Sequence, residues 1–241
     1  MFNGDVCVPT DQCGCAHDGR YLLAGETIFS SSCTEKCTCS TSSQLTCAES
    51  SCRSGETCTL IDGVHSCELK EAQCKVSPEA LLTSFDGATG KYLYSGIYNL
   101  AFVCDESALS WFRVLVSIGT DSDNGLVAVE AIYVFFPDAF IAVKKNNRTW
   151  VNGRSVKLPY NKNAVSVSQV WDGIVIDQAS QVEVHLYPNG EVTVKAKKTF
   201  AEKLCAPCGN FNGDSTDDLK LPSGKAENTA DVLQAWKAED F

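Results

Sequence analysis

No stretch of this 241-residue chain stays apolar long enough to cross a bilayer. The most apolar run, Leu126 to Val143, is interrupted by Glu130, Pro137 and Asp138. Cations are scarce as well. Twenty Lys and Arg stand against 30 Asp and Glu, giving a net charge of −10 and a pI near 4.8. That balance makes nucleic acid and anionic membrane poor partners. Lys195, Lys197, Lys198 and Lys203 cluster, but their alternation reads as a solvated strand face. Histidine occurs three times, at His17, His65 and His185, and the sequence around them shows no recognisable nucleophile arrangement. The opening Met1-Phe-Asn-Gly-Asp has neither the basic start nor the apolar core of an export signal.

Cysteine, by contrast, is abundant and uneven. Eleven of the fourteen fall between Cys7 and Cys74, leaving Cys104, Cys205 and Cys208 beyond. Such density implies a disulfide framework made in an oxidising compartment. Zinc through Cys33, Cys37 and Cys39 is the rival reading, and the region lacks a regular pair of CxxC knuckles. An extracellular cysteine pattern without an export signal points to a segment of a longer secreted protein.

From Cys7 to Cys74 apolar periodicity is weak, and serine runs such as Ser40-Thr-Ser-Ser43 separate the cysteines. Disulfides must therefore replace a core. Tyr21 to Phe29 and Leu45 to Cys47 have the composition of short strands. Cys58 and Cys67 flank a turn at Ile61-Asp62-Gly63-Val64, which predicts a hairpin with Cys58 bonded to Cys67. After Cys74 the texture changes to recurrent strand-like runs with turns between them. Val182, Val184 and Leu186 alternate with Glu183, His185 and Tyr187. Pro188-Asn-Gly190 then turns the chain back toward Val192 and Val194. The expected fold is mostly β: a small disulfide-rich module, then an antiparallel β-sandwich of about ten strands. A short helix is expected over Thr229–Lys237, with Asn228 as cap and Val232, Leu233 and Trp236 on one side.

The most chemically specific stretch is Cys205-Ala-Pro-Cys208-Gly-Asn-Phe-Asn-Gly-Asp-Ser-Thr-Asp-Asp-Leu219. Asn210, Asn212 and Asp214 alternate around Gly213, and Asp217 and Asp218 follow. Hard cations such as Ca2+ take six to eight oxygens from loops of this kind. An Asx-rich turn with no metal is the alternative, because the same residues dominate turns. Cys205-x-x-Cys208 also permits a dithiol exchanger. However, strand precedes it and acidic residues follow, where a reactive thiol needs an electropositive setting.

Ser84-Phe-Asp-Gly87 opening a sheet and Cys205-x-x-Cys-Gly-Asn-Phe-Asn-Gly-x-x-x-Asp-Asp218 closing it resemble a von Willebrand factor type D domain. Upstream, Cys7-Val-Pro with Cys13-Gly-Cys15 is similar to the end of a trypsin-inhibitor-like module. The stretch containing Asp18-Gly-Arg-Tyr-Leu-Leu-Ala-Gly-Glu-Thr27 is similar to the E, or C-like, module that follows it. The resemblance sets the organisation as a tail over 1–15, an E module over 16–73 and a type D domain over 74–241. Departures are the absence of Gly-Asp-Pro-His before Phe-Asp-Gly, and Gly96-Ile97-Tyr98 where many relatives carry a cysteine.

The resemblance implies calcium held by Asp86, Asn210, Asn212, Asp217 and Asp218 with a carbonyl near Asp214, so Asp214 joins the candidate set. It implies disulfides Cys74–Cys208 and Cys104–Cys205. The resemblance also implies three bonds within the E module among Cys15, Cys33, Cys37, Cys39, Cys47 and Cys52, of unassigned connectivity, leaving Cys7 and Cys13 to pair with each other or with upstream residues. The implied function is non-enzymatic: a secreted module of an adhesion, mucus or matrix glycoprotein. Its partners would be other extracellular glycoproteins or a second copy of itself. Thiol–disulfide exchange and protease inhibition are the alternatives, and the inhibitory loop of the latter would lie upstream of Met1. Asn147-Arg-Thr149 is an N-glycosylation sequon in a polar turn, so a glycan is expected at Asn147.

Overall fold

The computed structural model describes residues 14–17, 19–52, 56–69, 72–120, 126–179, 181–223 and 229–241. The chain divides into two units, Met1–Lys70 and Glu71–Phe241. Cys7 and Cys13 and most of the expected tail lie outside the described residues.

In the first unit, β1 (Cys15–His17) pairs with β2 (Arg20–Leu22). A three-stranded sheet follows from β3 (Thr27–Phe29), β4 (Glu35–Cys39) and β5 (Leu45–Glu49). β6 (Glu56–Ile61) and β7 (Val64–Leu69) form a hairpin over Asp62-Gly63, both at positive φ as a tight two-residue turn demands. Buried apolar material is sparse: Cys15, Leu22 and Cys39 with Ile28 and Leu45 against them. Four disulfides take over the work of a core: Cys15–Cys39, Cys33–Cys58, Cys37–Cys47 and Cys52–Cys67.

Two expectations are corrected here. Cys58 does not bond to Cys67, although the two face one another across β6 and β7. Facing across a ladder does not decide the matter, since Cys37 and Cys47 face one another across β4 and β5 and do bond. Instead the Cys58 sulfur lies by the Ser31 carbonyl at 3.7 Å and bonds to Cys33, while Cys67 takes Cys52. The hairpin is thereby tied to two separate segments. Of the six cysteines from Cys15 to Cys52, only four pair among themselves, making two bonds and not three. Non-reducing peptide mapping should recover Cys33–Cys58 and Cys52–Cys67. A Cys58–Cys67 peptide from native material would overturn this connectivity.

The second unit is built from two antiparallel sheets packed as a sandwich. The first holds eight strands. They are β8 (Ala72–Val76), β9 (Leu81–Thr83), β10 (Thr89–Lys91), β17 (Tyr160–Lys162), β18 (Val165–Val170), β19 (Gly173–Gln178), β20 (Val182–Leu186) and β21 (Val192–Ala196). Their order is β10-β9-β8-β21-β20-β19-β18-β17. The second holds seven: β11 (Gly96–Val103), β12 (Arg113–Thr120), β13 (Val127–Phe136), β14 (Ala139–Lys144), β15 (Thr149–Val151), β16 (Arg154–Ser155) and β22 (Leu204–Cys205), in the order β16-β15-β14-β13-β12-β11-β22. Alternation buries Val182, Val184 and Leu186 on one sheet and Val114, Val116, Val134 and Ile141 on the other.

Fifteen strands are described in this unit against the expected ten, and β9, β10, β15, β17 and β22 among them are two or three residues long, too short for a periodic signal. α1 covers Thr229–Ala235, with Val232 and Leu233 buried. The proposed cap, Asn228, lies outside the described residues. Beyond α1 the chain runs beside β11. Asn99 N donates to the Trp236 carbonyl at 2.9 Å, and Ala238 N donates to the Ile97 carbonyl at 2.8 Å. Arg113 grips Asp240 through two bonds of 2.6 and 2.8 Å.

Candidate metal centre

After β21 a 3-10 turn at Lys198–Phe200 and β22 deliver the chain into the loop over 206–219. Two disulfides anchor its start, Cys104–Cys205 and Cys74–Cys208. Cys208 N donates to the Leu100 carbonyl of β11 at 3.0 Å, and the Cys208 carbonyl accepts from Phe85 N at 2.8 Å. The loop is therefore held between both sheets. Its path needs left-handed backbone at Ala206, Gly209, Phe211, Gly213 and Leu219. Gly209 is the strictest of these, because a methyl there would overlap the Asp218 carboxylate.

The Ser84–Gly87 turn between β9 and β10 meets this loop. Asp86 accepts from Asn212 N at 3.1 Å and from Gly213 N at 2.9 Å, and the Phe85 and Phe211 rings lie 6.0 Å apart. Asp217 Oδ2 accepts from the side-chain amides of Asn210 at 3.0 Å and Asn212 at 2.8 Å. Asp218, 6% exposed, accepts from the Ser84 hydroxyl and from Asn210 N. Ser84 is a residue the sequence reading missed as a site member, although it begins the Ser-Phe-Asp-Gly turn. Asp214 stands apart: it is exposed, and its Oδ1 accepts from the backbone and hydroxyl of Thr216 at 2.9 and 2.7 Å. Those same bonds hold its carboxyl below the usual range.

Two oxygens in this cluster are left over. Asn210 Oδ1 and Asp217 Oδ1 are buried without a hydrogen-bond partner. A buried acceptor without a donor costs roughly 1–3 kcal/mol, and a charged one costs more. Burial pushes the Asp218 carboxyl up to about 6. The Ser84 hydroxyl and Asn210 amide pull it down, while the charges of Asp86 and Asp217 push it further up. The three carboxylates still lack close mutual contact. Among the described residues, no trio of their oxygens lies within 4.8 Å, and the groups that meet that distance include disulfide-bonded sulfurs. An oxygen-only donor set with unpartnered buried oxygens fits a hard cation.

The Asp218 shift has a consequence that chelated protein can show. Its folded value of about 6 lies above the ordinary 3.8, so the fold favours the proton. That contribution is fully present below about pH 4 and is lost as pH rises through about 6. In chelator, wild type should lose stability relative to Asp218→Asn across that window in thermal unfolding. Parallel pH profiles for the two proteins would contradict the burial of this carboxylate.

Comparison with known proteins gives the family. Residues 74–225 match the von Willebrand factor type D domain, and the chain belongs to that family. Residues 14–68 match the TILa domain. Among curated relatives, the IgGFc-binding protein of Homo sapiens is 37% identical over 245 residues, covering 100% of this chain and 4% of that protein. Zonadhesin of Mus musculus is 29% identical over 248 residues, covering 98% and 5%. Alpha-tectorin of Homo sapiens is 27% identical over 240 residues, covering 98% and 11%. The chain thus spans a small fraction of each relative's length. Six disulfides among the described residues place it in an oxidising, extracellular compartment. No described helix is long and apolar enough to cross a membrane.

Proposed function

We propose that the chain is a calcium-binding, non-catalytic module of a multidomain extracellular glycoprotein of the adhesion, mucus or matrix type. Its work is to present a rigid surface to other extracellular glycoproteins or to a second copy. The observation that carries the metal reading is the pair of partnerless buried oxygens, Asn210 Oδ1 and Asp217 Oδ1, in a loop already pinned by Asp86. Asp86, Asn210, Asn212, Asp217 and Asp218 would hold the ion. When bound, it neutralises converging carboxylates and crosslinks the Ser84–Gly87 turn to the closing loop. Asp214 shapes the turn and leaves the ligand role to its neighbours. Thiol exchange at Cys205-x-x-Cys208 finds less support, because each sulfur is bonded to a distant cysteine.

The test uses terbium, a hard cation with calcium-like ligand preferences. Trp236 lines the same hollow of about 240 Å3 as Asn210, Asp217 and Asp218. Terbium bound there should luminesce through excited indole, and calcium should displace it. Asp218→Ala should abolish the signal. Luminescence unchanged in that variant would sink the reading.

The sequon lies in the turn between β14 and β15. Asn147 is half-buried at positive φ, its N–H donates to the Lys144 carbonyl at 2.8 Å, and its Oδ1 is buried without a partner. Material secreted from a eukaryotic cell should carry a glycan at Asn147, seen as a mass loss on glycosidase treatment. An unshifted mass would show the sequon unused.

A further inference from the structure

This acidic chain contains a long segment with no acid at all. From Ala139 to Trp171 there is no Asp or Glu, while six cations occur: Lys144, Lys145, Arg148, Arg154, Lys157 and Lys162. All six are exposed. The segment makes β14, β15 and β16, where β16 is the edge of the seven-stranded sheet, and then enters β17, an edge of the other. The turn between β14 and β15 is closed by Lys144 N donating to the Arg148 carbonyl at 3.0 Å. It holds both cations on one indole: Lys144 Nζ lies 5.7 Å and Arg148 Cζ 5.2 Å from the Trp150 ring centre.

The ion pairs among the described residues draw on none of the six cations. Asp138 and Asp172 bound the segment, and Glu130 faces it. Glu130 shares a hollow of about 320 Å3 with Lys144 and Lys145, and Asp138 accepts from the Asn163 amide at 2.9 Å. Six exposed cations against these three acids leave this segment positive on a molecule of net charge −10. Like charges crowded on one ring repel, and a polyanion laid across them would relieve that repulsion.

We propose that this edge binds a sulfated polysaccharide. The extracellular setting supplies such polymers. Their repeated anions can follow cations spread along a sheet edge, and a ring such as Trp150 offers an apolar face for a sugar. Asn147 lies within the same turn, so the experiment uses full-length chain made in a bacterial periplasm, where disulfides form and no N-glycan is added. The probe is a heparin-derived oligosaccharide, measured by calorimetry near physiological salt. Unsulfated hyaluronan and poly-glutamate are run beside it.

Wild type should bind the sulfated probe. The triple variant Lys144→Ala, Lys145→Ala, Arg148→Ala should lose at least about tenfold in affinity. The triple variant Lys197→Ala, Lys198→Ala, Lys203→Ala removes the same charge from exposed positions elsewhere and should bind as wild type does. Lys145→Ala alone, outside the indole stack, guards against misfolding of the first variant and should show a partial loss. Absence of binding by wild type, equal losses in the two triple variants, or equal binding of poly-glutamate would each overturn the proposal, the last by making the partner an acidic peptide.

Discussion

Replacing Cys74 and Cys208 together by alanine should lower the melting temperature of the oxidised chain by roughly 8–20 °C. Their bond closes a loop of 134 residues, and both cysteines are fully buried. Loop-closure entropy at that length is about 4–5 kcal/mol. In a unit of this size each kcal/mol moves the midpoint by roughly 2–4 °C. Cys104–Cys205 closes 101 residues, and its entropic term is nearly the same, yet Cys104 is exposed. Removing that bond should cost less, because no buried sulfur is lost from the interior at Cys104. Equal shifts for the two double variants would mean that chain entropy alone sets the effect. A shift under about 3 °C at Cys74 and Cys208 would refute the entropic account, which alone requires several times that.

Calcium should give the second large effect. Stability gained by a bound ion follows RT ln(1 + [L]/Kd), roughly 2.7 kcal/mol at a hundredfold excess over Kd. Extracellular sites commonly have Kd values of about 0.1–1 mM. The midpoint should therefore climb by roughly 5–11 °C across a calcium titration that begins in chelator. Asp86→Ala and Asp218→Ala should each remove most of that climb. Asp86 also receives two backbone N–H groups, so its loss should depress the starting midpoint as well. For that reason the calcium-dependent increment is the quantity to compare. Asp105→Ala, in a turn that serves Ser107, should keep the full increment. If wild type and Asp218→Ala melt together at every calcium concentration, the loop is an Asx-rich turn and nothing more.

Much of the fold was legible because it is written locally. The alternation through Val182, Val184 and Leu186 and the Pro188-Asn-Gly190 turn each specify structure within a few residues. The closing loop showed itself through the spacing of its Asn, Asp and Gly. Asp86 did not, because it lies more than a hundred residues from its partners, and only family resemblance joined them. Ser84 was passed over for a similar reason, since a lone serine gains meaning only when a buried carboxylate sits opposite it. The Cys58–Cys67 expectation failed because a hairpin specifies which residues face each other and says nothing about which third segment lies nearer. The tail beyond α1 was also hidden. Its pairing with Asn99 and Ile97 depends on a sheet edge assembled far away in sequence, with no local pattern to announce it.

The Cys74–Cys208 bond has a further consequence for a chain under tension. A pull applied between Glu71 and Phe241 enters at β8, crosses the sulfur bridge and leaves through the residues after Cys208. The residues between those cysteines hang off the force path as a closed loop and add nothing to its length. Of the unit's 171 residues, only the 33 beyond Cys208 can be drawn out on that side (241 − 208). Fully extended they span roughly 110–120 Å. While its disulfide is intact, that tail sets the limit of the unit's extension, and reduction releases the closed loop as additional length.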